Sequence, residues 1–181
     1  MADLLQRQLE DCIRTHELVE LYRDRLTRDA LVGRILQQSA YIIVAEKIDE
    51  VHGPDGLVAV RVRDVTRLKR GGRQLEGART DYVIAPALES VALLELSSAM
   101  TMLHKRYGYA SVYVEALDDS VCFIGEPREL DDNFVIMRQF GTFKALDRSE
   151  ILIRMAEITR VAAGGKYESE LMRRFAVTVA S

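Results

Sequence analysis

The sequence predicts a mainly β protein with helices: two small five-stranded barrels in tandem, each preceded by an α-helix, related by internal duplication. Three observations carry that expectation. The chain repeats itself at a spacing of 93 residues, and β-branched and aromatic residues gather in segments of four to eight. One segment of helical period stands ahead of each group of five such segments.

The repeat comes first because it governs everything after it. Moved by 93 positions, Tyr41–Leu75 falls on Phe134–Glu168 without a gap, with six identities in 35 positions. Five of the six lie within RVRDVTRLKRGG over RMAEITRVAAGG: Arg61/Arg154, Thr66/Thr159, Arg67/Arg160, Gly71/Gly164 and Gly72/Gly165. Chance gives roughly one match in such a window at ordinary residue frequencies. Between the identities the chemistry is kept, as in Asp64/Glu157 and Val65/Ile158, and Gly33 matches Gly125 once one residue is gapped.

Each copy opens with a helix. Leu5, Leu9, Cys12, Ile13 and His16 recur at helical spacing in the first. The second runs from Pro86, suited to a first turn, to about Tyr107–Gly108. Its apolar residues cover more than one face, which places it between the halves. Copy one then reads LVELY, ALVGRIL, YIIVAEKI, LVAVRVR and VTRLK, and copy two SVYVEAL, VCFIGEP, FVIMRQF, EILIRM and EITRVA. Turn chemistry separates them at Thr27–Asp29, Gln38–Ser39, Gly53-Pro54-Asp55-Gly56, Asp118-Asp119 and Asp131-Asp132-Asn133. A glycine inside each second strand, Gly33 and Gly125, marks the sharp bend of a small sheet. YVIA at 82–85 and AVTV at 176–179 are expected as a sixth strand in each copy. The stretch Phe175–Ala180, apolar and uncharged, is expected to be ordered, within its own copy or on a neighbour's sheet.

Composition bounds the function. Of 181 residues 48% are hydrophobic and 29% charged, a globular balance. No apolar run is long enough for a transmembrane helix, and MADLLQRQLEDC lacks the basic-then-apolar order of a secretory leader. The two cysteines, Cys12 and Cys122, offer neither a disulfide framework nor a Cys-x-x-Cys zinc pattern. A cytoplasmic location is expected. The net charge of −3 is not that of a protein gripping nucleic acid with its whole surface.

A helix followed by five short strands, with glycine in the second, resembles the Sm and Sm-like small barrel, an SH3-like fold. The step from strand four into strand five strengthens the likeness: Val60-Arg61-Val62-Arg63-Asp64-Val65 and Ile153-Arg154-Met155-Ala156-Glu157-Ile158. Copy two also has Asp131-Asp132-Asn133-Phe134 where that family carries an Asp followed by an Asn. Val62 and Met155 stand where the family has a glycine after the arginine, in the loop that grips uridine or adenine. The resemblance implies a fold, and an RNA site near these loops.

The candidate nucleic-acid residues are therefore Tyr41, Arg61, Arg63, Arg67, Lys69, Arg70 and Arg73 in copy one, with Asn133, Phe134, Arg154 and Arg160 in copy two. The segment Arg61–Arg79 carries a net +5 against −8 for the rest. Tyr41, Tyr82 and the arginine planes offer stacking surfaces for bases. The competing reading pairs the strand arginines with acids; Arg61/Arg154 and Arg67/Arg160 would then meet Asp64 or Glu157 and pin the turn between strands four and five. The glycine pairs 71–72 and 164–165 read as chain reversals, without a clear helix after them to make a phosphate loop. His52 among Asp49, Glu50 and Asp55 lacks the alternate spacing of a calcium loop, and no nucleophile or zinc motif occurs.

These readings predict a non-enzymatic adaptor or structural binding protein that uses small β-barrels for protein–protein contact. The alternative is an Sm-like RNA-binding protein, and an enzyme comes third. No cofactor, metal or membrane is expected. Copy one is placed at 1–86 and copy two at 87–181, each small for an independent core, so the halves should unfold together. With two barrels on one chain, one strand edge is satisfied internally and another left open. The unlike basic patches argue against a large ring, which leaves a monomer or a homodimer.

Overall fold

A computed structural model describes residues 3–49, 53–72, 95–142, 144–145 and 148–179. Helix α1 (Leu4–Thr15) leads into strands β1 (Leu18–Tyr22), β2 (Leu31–Gln38), β3 (Ile42–Ile48), β4 (Pro54–Arg61) and β5 (Arg67–Arg70). Helix α2 (Leu96–Tyr107) leads into β6 (Ala110–Tyr113), β7 (Cys122–Leu130), β8 (Phe134–Gln139), β9 (Glu150–Arg154) and β10 (Arg160–Ala163). Helix α3 (Lys166–Val179) ends the described chain. A single 3-10 turn joins strands four and five of each copy, Val62–Asp64 and Met155–Glu157.

The protein is mainly β, with the ten described strands in one open antiparallel sheet of order β5-β1-β2-β3-β4-β10-β6-β7-β8-β9. Each half runs its strands in the order five, one, two, three, four, so the duplication is one of topology as well as sequence. Instead of two separate sheets, β4 of the first half pairs with β10 of the second, Val60 opposite Arg160 and Leu57 opposite Ala163. Among the described strands, β5 pairs with β1 alone and β9 with β8 alone.

The repeated glycines serve close approach. A Cβ on Gly33 would stand 2.2 Å from the Glu46 carbonyl oxygen, and one on Gly125 2.2 Å from that of Arg138. Two residues on, both second strands shift register, between Ile35 and Gln37 and between Pro127 and Glu129. Such a bulge bends a strand and increases its twist, so the bend is built twice by the same device. Across these strands a charge pair is also repeated with its signs exchanged: Arg34 faces Glu46 at 3.7 Å, and Glu126 faces Arg138 at 3.5 Å.

Both leading helices are twelve residues long and end on a left-handed residue, His16 and Gly108. They bury different faces. Helix α1 sets Leu9 and Cys12 against Val19, Leu31, Ile35 and Ile43 of its own half. Helix α2 packs between the halves, its Leu96, Ala99, Met100 and Leu103 in one core with Ile42, Val44, Leu57 and Ala59 of the first half. Residues 86–94 of the helix expected from Pro86 lie outside the described residues, as do YVIA at 82–85 and Arg73.

Three expectations are corrected. AVTV at 176–179, expected as a strand, lies in α3. The helical period comes from the residues before it: Glu170 pairs with Arg173 at i+3 and Arg174 at i+4. Pro54-Asp55-Gly56, expected as a turn, opens β4, with the proline at the first strand position, where it is tolerated. Gly164-Gly165 are followed at once by α3, whose first backbone N–H donates to the Asp55 carboxylate at 3.0 Å. Gly71, Gly72 and Gly164 do have positive φ, as chain reversals require.

Candidate binding cleft between the two halves

The paired carbonyls and N–H groups of loop and turn locate the cleft. In the first half the Val62 N–H donates to the Tyr41 carbonyl at 2.8 Å, tying the β2–β3 turn to the 3-10 turn after β4. In the second half the Met155 N–H donates to the Asn133 carbonyl at 2.8 Å in the equivalent place. Each β2–β3-type turn is braced by a side-chain acceptor: Ser39 Oγ takes the N–H groups of Tyr41 and Ile42, and Asp131 Oδ1 those of Asn133 and Phe134. The two backbone donors, Phe134 first, hold the Asp131 carboxyl below the ordinary range.

The β4·β10 pairing brings these two loop systems together around a cleft of about 640 Å³. Ala40, Tyr41, Ile42, Arg61 and Arg63 line it from the first half, Asp132, Met155 and Ala156 from the second, with Glu95 and Leu96 at the start of α2. Tyr41 is 60% exposed, far more than a core aromatic. Arg61 reaches across the seam, its Nη2 donating to the Met155 carbonyl at 3.0 Å and the Ala156 carbonyl at 3.3 Å. Burial lowers the Arg61 pKa from its ordinary value. Arg63 points its guanidinium outward, 3.9 Å from Asp64. Two cations and two carboxylates, Glu95 and Asp132, thus rim an apolar floor.

The other candidates lie elsewhere. Arg67, Lys69 and Arg70 stand on edge strand β5, and each has an acid: Arg67 forks onto Asp24 at 2.8 and 2.5 Å, Lys69 meets Glu20 at 2.7 Å, and Arg70 meets Asp11 at 2.6 Å and Glu17. Arg154 lies 4.6 Å over the Phe134 ring. Arg160 lies 3.7 Å over the Tyr113 ring and bonds Glu115 at 3.1 Å. The three cations of β5 are therefore each paired with an acid within the chain.

The repeated arginines pair with acids, but with other acids than Asp64 and Glu157. Thr66 Oγ1 donates to the Tyr22 carbonyl at 3.0 Å and to Asp24, the acid that Arg67 forks, while Arg67 covers the Tyr22 ring at 3.9 Å. In the second half Thr159, Arg160, Tyr113 and Glu115 repeat this arrangement, with Thr159 Oγ1 2.7 Å from Glu115 Oε2, except that Arg160 meets its acid through Nη2 alone where Arg67 forks. The Arg67 and Thr66 hydrogen bonds lower the Asp24 pKa to about 2. Tyr22-Arg23-Asp24 and Tyr113-Val114-Glu115 share a Tyr-x-acid pattern at a spacing of 91, the sequence signal that would have found the set.

Among the described residues no three His, Cys, Asp or Glu side chains gather as a metal site, and no helix is long and apolar enough to cross a membrane. No known protein family, curated protein or solved structure matches this chain.

Proposed function

We propose that this chain is a non-enzymatic, cytoplasmic adaptor built from two tandem Sm-like, SH3-like units, 1–86 and 87–181, and that it seats a peptide segment of a partner protein in the cleft between them. The Sm-like reading rests on the strand order five, one, two, three, four in each half, with a preceding helix and the glycine-and-bulge bend. The single observation that favours a peptide is the balance of the cleft. An apolar floor of Ile42, Leu96, Met155 and Ala156 carries two cations and two carboxylates on its rim, at a size within the usual range of ligand pockets. A polyanion would gain little from a rim of zero net charge, whereas a peptide presents apolar side chains and both signs of charge.

A second reading, single-stranded RNA, has one observation of its own. The exposed Tyr41 ring and the outward Arg63 guanidinium sit on the same cleft and supply a stacking face and a phosphate ligand. A peptide-display screen against the full chain, repeated with Ala156→Trp to fill the cleft, tests the first reading. Peptides that bind the parent and not the variant support it. Short oligouridine and oligoadenine titrated across a range of salt test the second. RNA binding that weakens steeply with salt and is lost in Tyr41→Ala overturns the adaptor.

A further inference from the structure

At two places in this chain a tyrosine ring, a guanidinium and a carboxylate stand together. Arg67 lies 3.9 Å over the Tyr22 ring and forks onto Asp24, and Arg160 lies 3.7 Å over the Tyr113 ring and bonds Glu115 at 3.1 Å. The electron-rich ring face and the acid hold one cation from two sides. The cleft between the halves has the ring and the acids without that cation. Tyr41, Glu95 and Asp132 all line it, and among the described residues no guanidinium lies over the Tyr41 ring. We propose that the cleft takes an arginine side chain of the partner segment, its guanidinium over the Tyr41 ring and its N–H groups on the Asp132 and Glu95 carboxylates; the inference rests on the peptide reading of the cleft.

The cations that line the cleft are engaged elsewhere. Arg61 gives its Nη2 to the carbonyls of Met155 and Ala156 across the seam, at 3.0 and 3.3 Å. Arg63 turns outward, 3.9 Å from Asp64. The two carboxylates are left with their charge to satisfy. Glu95 accepts from the Ser97 hydroxyl at 3.4 Å but does not cap α2 with its side chain. Among the described residues no cation pairs with Glu95 or Asp132. A nucleotide stacked on Tyr41 would bring its phosphate toward these two acids, whereas an arginine brings the opposite charge.

Ring and acid are both presented from braced turns. The Tyr41 N–H donates to Ser39 Oγ at 3.0 Å, and its carbonyl accepts the Val62 N–H at 2.8 Å. Asp132 sits between Asp131, whose Oδ1 takes the N–H groups of Asn133 and Phe134 at 2.7 Å, and Asn133, whose carbonyl accepts the Met155 N–H. Little backbone freedom is lost there when a ligand arrives. Arginine fits such a site better than lysine, since a planar guanidinium stacks on a ring and forks a carboxylate at once. Its methylene stem has the apolar floor of Ile42, Leu96 and Met155 to lie on.

The test selects peptides from a random display library on the full chain, with Ala156→Trp as the counter-screen. Peptides lost in the counter-screen should share an arginine at one position. In the tightest of them, made synthetically, changing that arginine to alanine should weaken binding to the parent roughly tenfold, and changing it to lysine should cost a smaller factor. Against Tyr41→Ala, and against Asp132→Asn combined with Glu95→Gln, the arginine and alanine peptides should bind alike. Tyr41→Phe, which puts the ring back, should restore the difference, with circular dichroism showing each variant folded. Cleft-dependent peptides without a shared arginine, or an arginine-to-alanine loss as large in Tyr41→Ala as in the parent, overturn the inference and leave the peptide reading standing. If no selected peptide depends on the cleft, or if oligouridine binds the parent and not Tyr41→Ala, both are overturned.

Discussion

Arg23 and Glu115, 92 positions apart, close a fork across the two halves: Nη1 lies 2.5 Å from Oε2 and Nη2 2.9 Å from Oε1. Their side chains are 1% and 2% exposed. Glu115 also accepts from Thr159 and Arg160, so one carboxylate collects donors from β10 and from the corner after β1. Burial alone raises its pKa, but the Arg23 hydrogen bond and the charges of Arg160 and Arg23 outweigh that and leave it below the ordinary value.

Removing one member of such a pair strands the other. Glu115→Gln should lower the unfolding free energy by about 3 kcal/mol at neutral pH, measured by urea denaturation. Arg23→Met with Glu115→Leu should cost less than either single change, because no unpaired charge is then buried. The pH dependence follows from a depressed folded pKa. The contribution of the carboxylate is complete above its ordinary value of 4.5 and is lost as pH falls through the lower folded value. The stability gap between parent and Glu115→Gln should therefore narrow below about pH 4.5.

Gly33→Ala and Gly125→Ala should each destabilise by about 3 kcal/mol, since the added Cβ meets a paired strand's carbonyl at 2.2 Å and that backbone cannot rotate away. Gly72→Ala has no clash of that kind, its nearest neighbour being the end of a lysine side chain, but its φ of +107° is one that L residues rarely adopt, so it should cost about 1 to 2 kcal/mol through backbone strain, less than the two clashes. Thermal melts of the three variants give the order.

The threonines of the repeated arrangement should differ in weight. Thr159→Val leaves the buried Glu115 short of a donor and should cost about 2 kcal/mol. Thr66→Val, beside the solvated Asp24, should cost less. Equal losses would mean that burial does not separate the two sites.

Cooperativity between the halves follows from the shared core of α2, β4 and the second half. Equilibrium unfolding followed by tyrosine fluorescence and by circular dichroism should give one coincident transition. A chain cut near Asp81 into two soluble fragments, each melting cooperatively alone, would show the cores to be separable.

Cys12 is fully buried, and burial raises its thiol pKa to about 11, while Cys122 is exposed. A thiol reagent at pH 8 should label Cys122 in the native protein and Cys12 only on unfolding. Cys122→Ser should give no native labelling.

Much of the fold was legible in the order of residues, because its determinants are local. β-branched alternation located the ten described strands, and spaced apolar residues located α1 and the described part of α2. A glycine and a register shift two residues on set each bend, so Gly33 and Gly125 carried the duplication visibly. Tyr41, Arg61 and Arg63 were named from the sequence and share one cleft. Which acid answers each arginine was not legible: Asp24 and Glu115 lie 43 and 45 positions from their partners, and only the β1·β5 and β6·β10 pairings bring them near. Nor could four apolar residues, AVTV, declare their own period; Glu170, Arg173 and Arg174 settled it by pairing at helical spacing. The sequence by itself determined the unit and its repetition, since periodicity and turn chemistry act within a few residues. Tertiary structure alone decided that β4 pairs with β10, because that choice depends on how two preformed edges match across space.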